Sequence, residues 1–272
     1  MEGWREEGPE WRRGRPGGGG RWQSGDMCGR FASARGKQQL LEEFEVEVDG
    51  ADGSELRPDY NVAPTKPVYT VLSRAPKGDA EGGRAVRQLR VMRWGLVPSW
   101  AKDPAIGSKM INARVETVTE KPSFRRAFKE RRCLVPADGY YEWAVLEETD
   151  ARGRPKKQPH YIRPADGGIM AMAGLYEFWR DRGRPDDDPD AWLVTCTIIT
   201  TSAVDAAGRV HDRMPMLIER DRWGEWLDPG VPDTQGFLIP AGSTGLVAHP
   251  VSTAVNSVRN NGPELIEALP EE

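Results

Sequence analysis

Cysteine and histidine are both scarce in this 272-residue chain, with three of each. Cys28, Cys133 and Cys196 are scattered, odd in number and form no CxxC pair. That excludes a disulfide framework and a structural zinc site of the usual spacing. His160, His211 and His249 are equally far apart, so spacing gives no support for a metal site, and no cofactor is called for. No apolar run approaches the roughly 20 residues that a membrane-crossing helix needs. Residues 1–26 lack the apolar centre of a secretory signal. Together these absences lead us to expect a cytoplasmic protein with no membrane partner. An excess of positive charge is missing too. The net charge of −4 argues against a protein that coats duplex DNA by bulk electrostatics. It leaves room for a local basic run such as 121–132 (KPSFRRAFKERR), which also reads as a solvated helix face.

What is present begins with organisation. Residues 1–26 are rich in Gly, Arg, Trp and Glu, with Gly17 to Gly20 consecutive, and nothing in them can build a core. They read as a disordered leader or a mis-assigned start. From residue 27 to 272 the composition is globular. Residues 37–46 suggest a short helix with Leu40, Leu41 and Phe44 on one side. Strands are expected at 67–73 and 86–93, separated by a loop over 75–85. Pro122 is expected to open a helix in which Phe124 and Phe128 share a face. Further strands are expected at 132–136, 139–146, 159–163, 169–178 and 192–200, the last two covered on both faces. Segments 149–157 and 180–190 read as surface loops. Asp221 is expected to cap a helix carrying Trp223, Trp226 and Leu227. A strand near 245–251 and a short helix opened by Pro263 complete the chain. Strands dominate, and the few helices are not regularly interleaved, which disfavours a doubly wound fold. The expected architecture is a single α+β domain, with a curved mixed or antiparallel sheet closing toward a barrel and a few peripheral helices.

The chemistry concentrates in short segments that mix charge with Gly, Pro or aromatics. These are Met27-Cys28-Gly29-Arg30-Phe31, Ile111-Asn112-Ala113-Arg114-Val115-Glu116-Thr117, Ala137-Asp138-Gly139-Tyr140-Tyr141-Glu142-Trp143 and His211-Asp212-Arg213-Met214-Pro215. If Cys28 becomes N-terminal it carries an amine and a thiol on adjacent carbons. An α-amine has a pKa of about 7.7–8.0, so a useful fraction is neutral at physiological pH. The amine can form an imine with an aldehyde, and the thiol then closes a thiazolidine with the advantage of an intramolecular step. Read from the residues alone, Cys28 fits a buried core cysteine equally well. Glu142 likewise fits an outward strand position, His211 a core histidine and Asn112 a turn.

In this order, and joined by Tyr60-Asn61-Val62-Ala63-Pro64, Trp94-Gly95-Leu96-Val97-Pro98, His249-Pro250-Val251-Ser252 and Asn256-Ser257-Val258-Arg259-Asn260, the motifs resemble the SOS-response-associated peptidase (SRAP) family of abasic-site processing proteins. The resemblance covers residues 27–272. It implies covalent capture of abasic sites in single-stranded DNA by Cys28, protecting the lesion, with Asn112, Glu142 and His211 as the remaining catalytic residues. Glu142 would shuttle protons to and from the amine. His211 would favour the open aldehyde by protonating the sugar ring oxygen, and Asn112 would orient the amine or the sugar hydroxyls. Arg30, Arg114 and Arg213 lie within two residues of these positions and are candidate phosphate contacts. Trp143 is a candidate for stacking on a base. Asn61 and Pro64 are wedge or backbone contacts by resemblance, and Trp94 is expected to be core.

Family members begin at the cysteine once methionine is removed, whereas here the Cys28 amine is acylated by Met27. Either the start lies at Met27, or the leader is cleaved at Met27-Cys28, a step that Glu142 and His211 would assist. The partner expected is single-stranded DNA bearing an abasic site, bound by a monomer. A cysteine peptidase acting on other proteins and a non-covalent single-strand binding module are the alternatives.

Overall fold

The computed structural model describes residues 29–51, 53–75, 83–231, 235–238 and 245–270. The expectations for residues 1–26 and Cys28, and most of that for the 75–85 loop, lie outside them. In chain order the elements are β1 (Arg30–Ser33), α1 (Lys37–Glu43), β2 (Val48–Asp49), β3 (Asp59–Val62), β4 (Pro67–Arg74), β5 (Val86–Trp94), β6 (Asn112–Arg114), α2 (Arg125–Glu130), β7 (Arg132–Ala137), β8 (Gly139–Thr149), β9 (Pro155–Pro164), β10 (Met170–Arg180), β11 (Trp192–Ser202), α3 (Asp205–Gly208), β12 (Arg213–Pro215), α4 (Trp223–Leu227) and β13 (Leu246–Pro250).

Five strands close on themselves. β4 pairs with β5, β5 with β11, β11 with β10, β10 with β7, and β7 returns to β4 through Val71 and Leu134. All these pairings are antiparallel except β5–β11, where Arg93 and Trp94 lie beside Thr195 and Cys196. The result is an α+β domain built on a closed barrel, as the strand-rich pattern predicts. A second, antiparallel sheet runs β13-β9-β8-β1-β3. Because side chains alternate along a strand, the two faces of the barrel wall carry different partners. Val68, Met92, Trp94, Val135, Met172 and Ile198 pack with Phe31, Val62, Tyr140 and Ile162 of the second sheet. The other face, with Tyr69, Val71, Leu89, Leu134, Ala173 and Leu175, is covered by α1, α2 and α4 through Leu40, Phe44, Phe128 and Trp226. β10 and β11 are therefore covered on both faces, as expected from their apolar runs. Trp94 is fully buried and donates Nε1–H to the Ile111 carbonyl at 2.9 Å, the core role expected of it. Gly95 follows with φ +122, and a Cβ there would stand 2.5 Å from the Gly107 carbonyl oxygen, so the turn after β5 requires glycine. Among the described residues no helix is long and apolar enough to cross a membrane.

Three local expectations need correction. α2 starts at Arg125, not Pro122, with Phe124 at its N-cap position; Phe124 and Phe128 are nonetheless both buried. Asp221 caps nothing: it sits within a 3₁₀ turn, Arg220–Arg222, that runs directly into α4. The loop expected at 149–157 is shorter, because β8 continues to Thr149 and β9 starts at Pro155. That end of the hairpin is exposed on both faces, so its sequence carries no apolar alternation.

Helix C-termini leave carbonyls without intrahelical partners. Arg132, at the start of β7, serves two such ends at once. Its Nη1 donates to the Phe128 and Lys129 carbonyls of α2 at 3.0 and 3.1 Å. Its Nε donates to the Trp226 carbonyl of α4 at 2.6 Å, and Nη2 donates to that of Asp228. The guanidinium is buried, which lowers its proton affinity, and it lies over the Trp226 ring. Replacing Arg132 with Met leaves these acceptors unsatisfied. We expect a loss of about 2–4 kcal/mol in urea unfolding, and a loss below about 1 kcal/mol would show that the carbonyls find other partners.

Candidate active site

The site is assembled around β8. Arg30 lies opposite Tyr141, Phe31 opposite Tyr140 and Ala32 opposite Gly139. Continued by one residue, this register brings Gly29 level with Glu142. Tyr140 and Phe31 belong to the core shared with the barrel, so Glu142, two residues from Tyr140, projects to the same face. The Glu142 side chain is only 4% exposed. Gly139 opens the strand under the Tyr161 ring, and a Cβ there would stand 2.3 Å from Tyr161 Cζ. The small residue in the Asp138-Gly139-Tyr140 run is what lets β8 approach β9 at this point.

His211 comes from the turn after α3, where its backbone N–H donates to the Ala207 carbonyl at 3.0 Å. Its Nδ1 stands 4.0 Å from Glu142 Oε1 and 3.0 Å from Asp212 Oδ1. The same Nδ1 accepts the Arg213 backbone N–H at 3.1 Å. These contacts suit the two protonation states in turn. A neutral ring accepts at Nδ1 and carries its proton on Nε2, whereas a protonated ring finds two carboxylates facing Nδ1.

Asn112 enters from β6, paired beside Ile198 of β11, and it is half-buried. Residues paired in this way share a face, so Asn112 lies on the face of Ile198, Phe31 and Tyr140, which is the face of Glu142. Past the end of β10, β12 takes over its edge of β11, with Ser202 opposite Arg213, while β6 lies on the other edge. An ion pair joins the two turns across this end. Arg213 donates through Nη1 to Glu116 Oε1 and through Nη2 to Glu116 Oε2 at 2.9 Å, with a further bond to the Thr200 carbonyl at 2.8 Å.

The Arg213 guanidinium holds the Glu116 carboxyl below its ordinary range, outweighing the opposing effect of burial. A depressed folded-state pKa contributes stability that is present above the unfolded value of about 4.3 and lost as pH falls through the folded value. Glu116 is half exposed, with a side-chain accessibility of 50%, so the contribution is small, at most about 1 kcal/mol. Glu116→Gln should therefore melt below the parent protein at pH 6–7. The gap in Tm should narrow as pH falls below about 4.3 and close once pH has passed the lowered folded-state value, and a gap that persists in stronger acid would assign the effect to packing.

The remaining candidates are distributed as follows. Arg114 is exposed at the end of β6. Trp143 is half-buried and donates Nε1–H to Asn256 Oδ1 at 2.8 Å. Pro64 is half-buried, ahead of Thr65 with φ +72. Arg30 and Asn61 are both buried and bonded within the fold. Arg30 turns to the face opposite Glu142 and donates to Asn61 Oδ1 at 2.9 Å and to the Val255 carbonyl at 2.8 Å. Asn61 is fully buried, and its Nδ2 donates to the carbonyls of Val255, Ser257 and Asn260 at 3.2, 3.0 and 3.0 Å. Both side chains hold the 255–260 segment against β1 and β3. Asn61 has no surface to offer a ligand, and Arg30 has little. Sequence reasoning quoted the Asn256–Asn260 and Glu116 segments without a role; their roles as acceptors for Trp143, Asn61 and Arg213 become visible only in three dimensions.

Comparison with known proteins identifies the family. The family model described as SOS response associated peptidase (SRAP) matches residues 27–258. The chain is 41% identical over 246 residues to the abasic site processing protein YoqW of Bacillus subtilis, covering 89% of this chain and 100% of that protein. It is 35% identical over 243 residues to the abasic site processing protein HMCES of Xenopus tropicalis, covering 80% of this chain and 68% of that protein. A crystal structure of a Bacteroides thetaiotaomicron protein superposes with a TM-score of 0.70 at 24% identity, over 89% of this chain and all of that one, and shows the same fold. A Bordetella bronchiseptica protein superposes with a TM-score of 0.61 at 25% identity, over 83% of this chain and all of that one. With the family model spanning most of its length and the matching motifs gathered at one end of β11 and along β8, the chain belongs to the SOS response associated peptidase (SRAP) family.

Proposed function

We propose that the protein processes abasic sites in single-stranded DNA by capturing the ring-opened aldehyde through Cys28. The observation that carries this reading is the approach of His211 Nδ1 to within 4.0 Å of Glu142 Oε1, on a strand whose register brings Gly29, the neighbour of Cys28, level with that carboxylate. The names of the relatives point to the same lesion.

In the proposed reaction the neutral Cys28 amine attacks the aldehyde carbon of the open sugar to give a carbinolamine. Loss of water gives the imine, and the thiol adds across the C=N bond to close the thiazolidine. Glu142 takes the proton from the ammonium and returns it to the departing oxygen. His211, when protonated, donates to the ring oxygen of the closed sugar and so supplies the aldehyde. Asn112 orients the amine or a sugar hydroxyl. The exposed Arg114 and the half-buried Trp143 serve the DNA backbone and a neighbouring base. Arg213 would join them only if a phosphate displaces Glu116. The working form needs the Cys28 amine unacylated, and the peptidase activity in the family description supports cleavage at Met27-Cys28 as one route to it.

The direct test incubates protein beginning at Cys28 with an oligonucleotide carrying one abasic site, then separates the products after heating in detergent. A heat-stable protein–DNA band that is absent with the intact oligonucleotide is expected. Retardation in native gels without that band would favour a non-covalent binding module.

A further inference from the structure

Across the second sheet, Glu142 lies directly opposite His160 on β9, and His160 lies opposite Pro250 on β13. With Gly29 level with Glu142 on β1, one row runs Gly29, Glu142, His160, Pro250. Directly opposite residues of an antiparallel pair share a face, with Cβ atoms about 5 Å apart. His160 also lies two residues from Ile162, which belongs to the core shared with Tyr140 and Phe31. It therefore flanks Glu142 on the side away from Gly29. The ring is half-buried, and its Nδ1 donates to the Gln158 carbonyl at 3.1 Å. Since a carbonyl only accepts, Nδ1 keeps its proton and Nε2 is the nitrogen that gains or loses one. The catalytic roles proposed above leave this histidine unused.

We infer that His160 is a positioning residue for Glu142: a second imidazole beside the carboxylate whose positive charge, when Nε2 is protonated, holds Glu142 in its ionised form. The inference rests on the proposed role of Glu142. A buried carboxylate is stable in its charged form only with compensating partners. His211 supplies one of these on the side of the turn before β12, and His160 supplies another across the strand pair. Among the described residues the other charged groups on neighbouring elements are few. β6, whose Asn112 lies on the same face, carries the exposed Arg114 two residues on. On β1, Arg30 turns to the opposite face, and on β13 the level residue is Pro250. The turn before β12 adds Asp212 beside His211. α3, which packs on β13, carries the exposed Asp205, with Arg209 exposed after it. The α-amine of Cys28 lies outside the described residues.

The test follows the Glu142 carboxyl carbon by NMR as pH is varied, in the parent protein, His160→Gln and His160→Lys. A unit charge about 7 Å away shifts a titration by more than one pH unit at an effective dielectric of about 20, and partial exposure reduces that to about half a unit to one. Gln removes the charge, so the Glu142 midpoint should rise by about 0.5–1 unit. Lys makes the charge permanent, so the midpoint should equal the parent value or fall below it. A purely structural role would move both variants in the same direction. Midpoints agreeing within about 0.2 unit in all three proteins would overturn the inference. Should His160→Gln fail to fold, the comparison of parent with His160→Lys decides, a midpoint above the parent value being the contrary result. The readout needs no DNA, so failure of the parent to crosslink would count against the proposed function alone. Where the parent crosslinks, the acid limb of its rate profile should move with the carboxyl midpoint.

Discussion

Protein that keeps even Met27 ahead of Cys28 is expected to give no heat-stable adduct with abasic-site DNA, while the same chain beginning at Cys28 converts to adduct completely. The difference is chemical. An acylated nitrogen has no basic lone pair, so only sulfur can add to the aldehyde, and the hemithioacetal it forms reverts on heating. With the amine free, the imine carbon is held within reach of the thiol. Well-oriented intramolecular closures have effective concentrations on the order of 10⁵ M or more, which makes the five-membered ring the resting state. A protease site placed so that cutting exposes Cys28 allows both forms to be compared in one preparation. A control that leaves Asp26-Met27 removes most of the bulk of the leader but keeps the amine blocked, and so separates steric from chemical effects. Cys28→Ser should form at most a transient imine that does not survive heating. If the stubbed protein crosslinks as fast and as stably as the exposed-cysteine form, with its mass unchanged, the aminothiol mechanism is wrong at its first step.

The second large effect is expected at the acid–base pair. Glu142→Gln keeps the shape of the side chain but cannot exchange a proton, and general acid–base catalysis contributes typically about 10²–10⁴-fold. Crosslinking should slow by about 10²-fold or more, with affinity for intact single strands within about twofold of the parent. Because the substitution also removes a buried charge, the Tm should be unchanged or higher. A fall in rate together with stability would instead mean that Glu142 holds the site in shape. His211→Ala should slow capture of the closed sugar, and a pre-opened aldehyde should recover most of the loss. Parallel losses of plain DNA binding in both variants would assign the two residues to binding.

The large strands were legible because their composition leaves little choice. Val86–Trp94, Met170–Arg180 and Trp192–Ser202 are apolar over most of their length and reappear as barrel strands. β1, β3, β6 and β12 were not, for a physical reason. Each is three or four residues long, and three of them carry a polar side chain whose partner lies far along the chain: Arg30, Asn61 and Arg213. A local pattern sees such residues as solvent-facing. The structure buries Arg30 and Asn61 because backbone carbonyls 225 and 194 residues away accept from them. For the site, Glu142 and His211, the residues proposed to carry proton transfer, stand out in the motifs, and the fold brings them within 4.0 Å. The partner that occupies Arg213 and the histidine facing Glu142 were not, because cross-strand register is a property of the folded sheet.

The bond from Arg30 to the Val255 carbonyl spans 225 residues, and it has a kinetic side. Chains emerge during synthesis at about 5–20 residues per second, so the Arg30 guanidinium waits some tens of seconds for this acceptor. The barrel can begin to assemble once β11 has emerged, and β1 can pair with β3 and β8 by then, but the Arg30 side chain meets its Val255 acceptor only when the last part of the domain is made. Contacts this distant in sequence also slow folding, through the entropy of closing long loops. The side chain of β1 that is secured last is therefore Arg30, the one nearest the proposed capture segment.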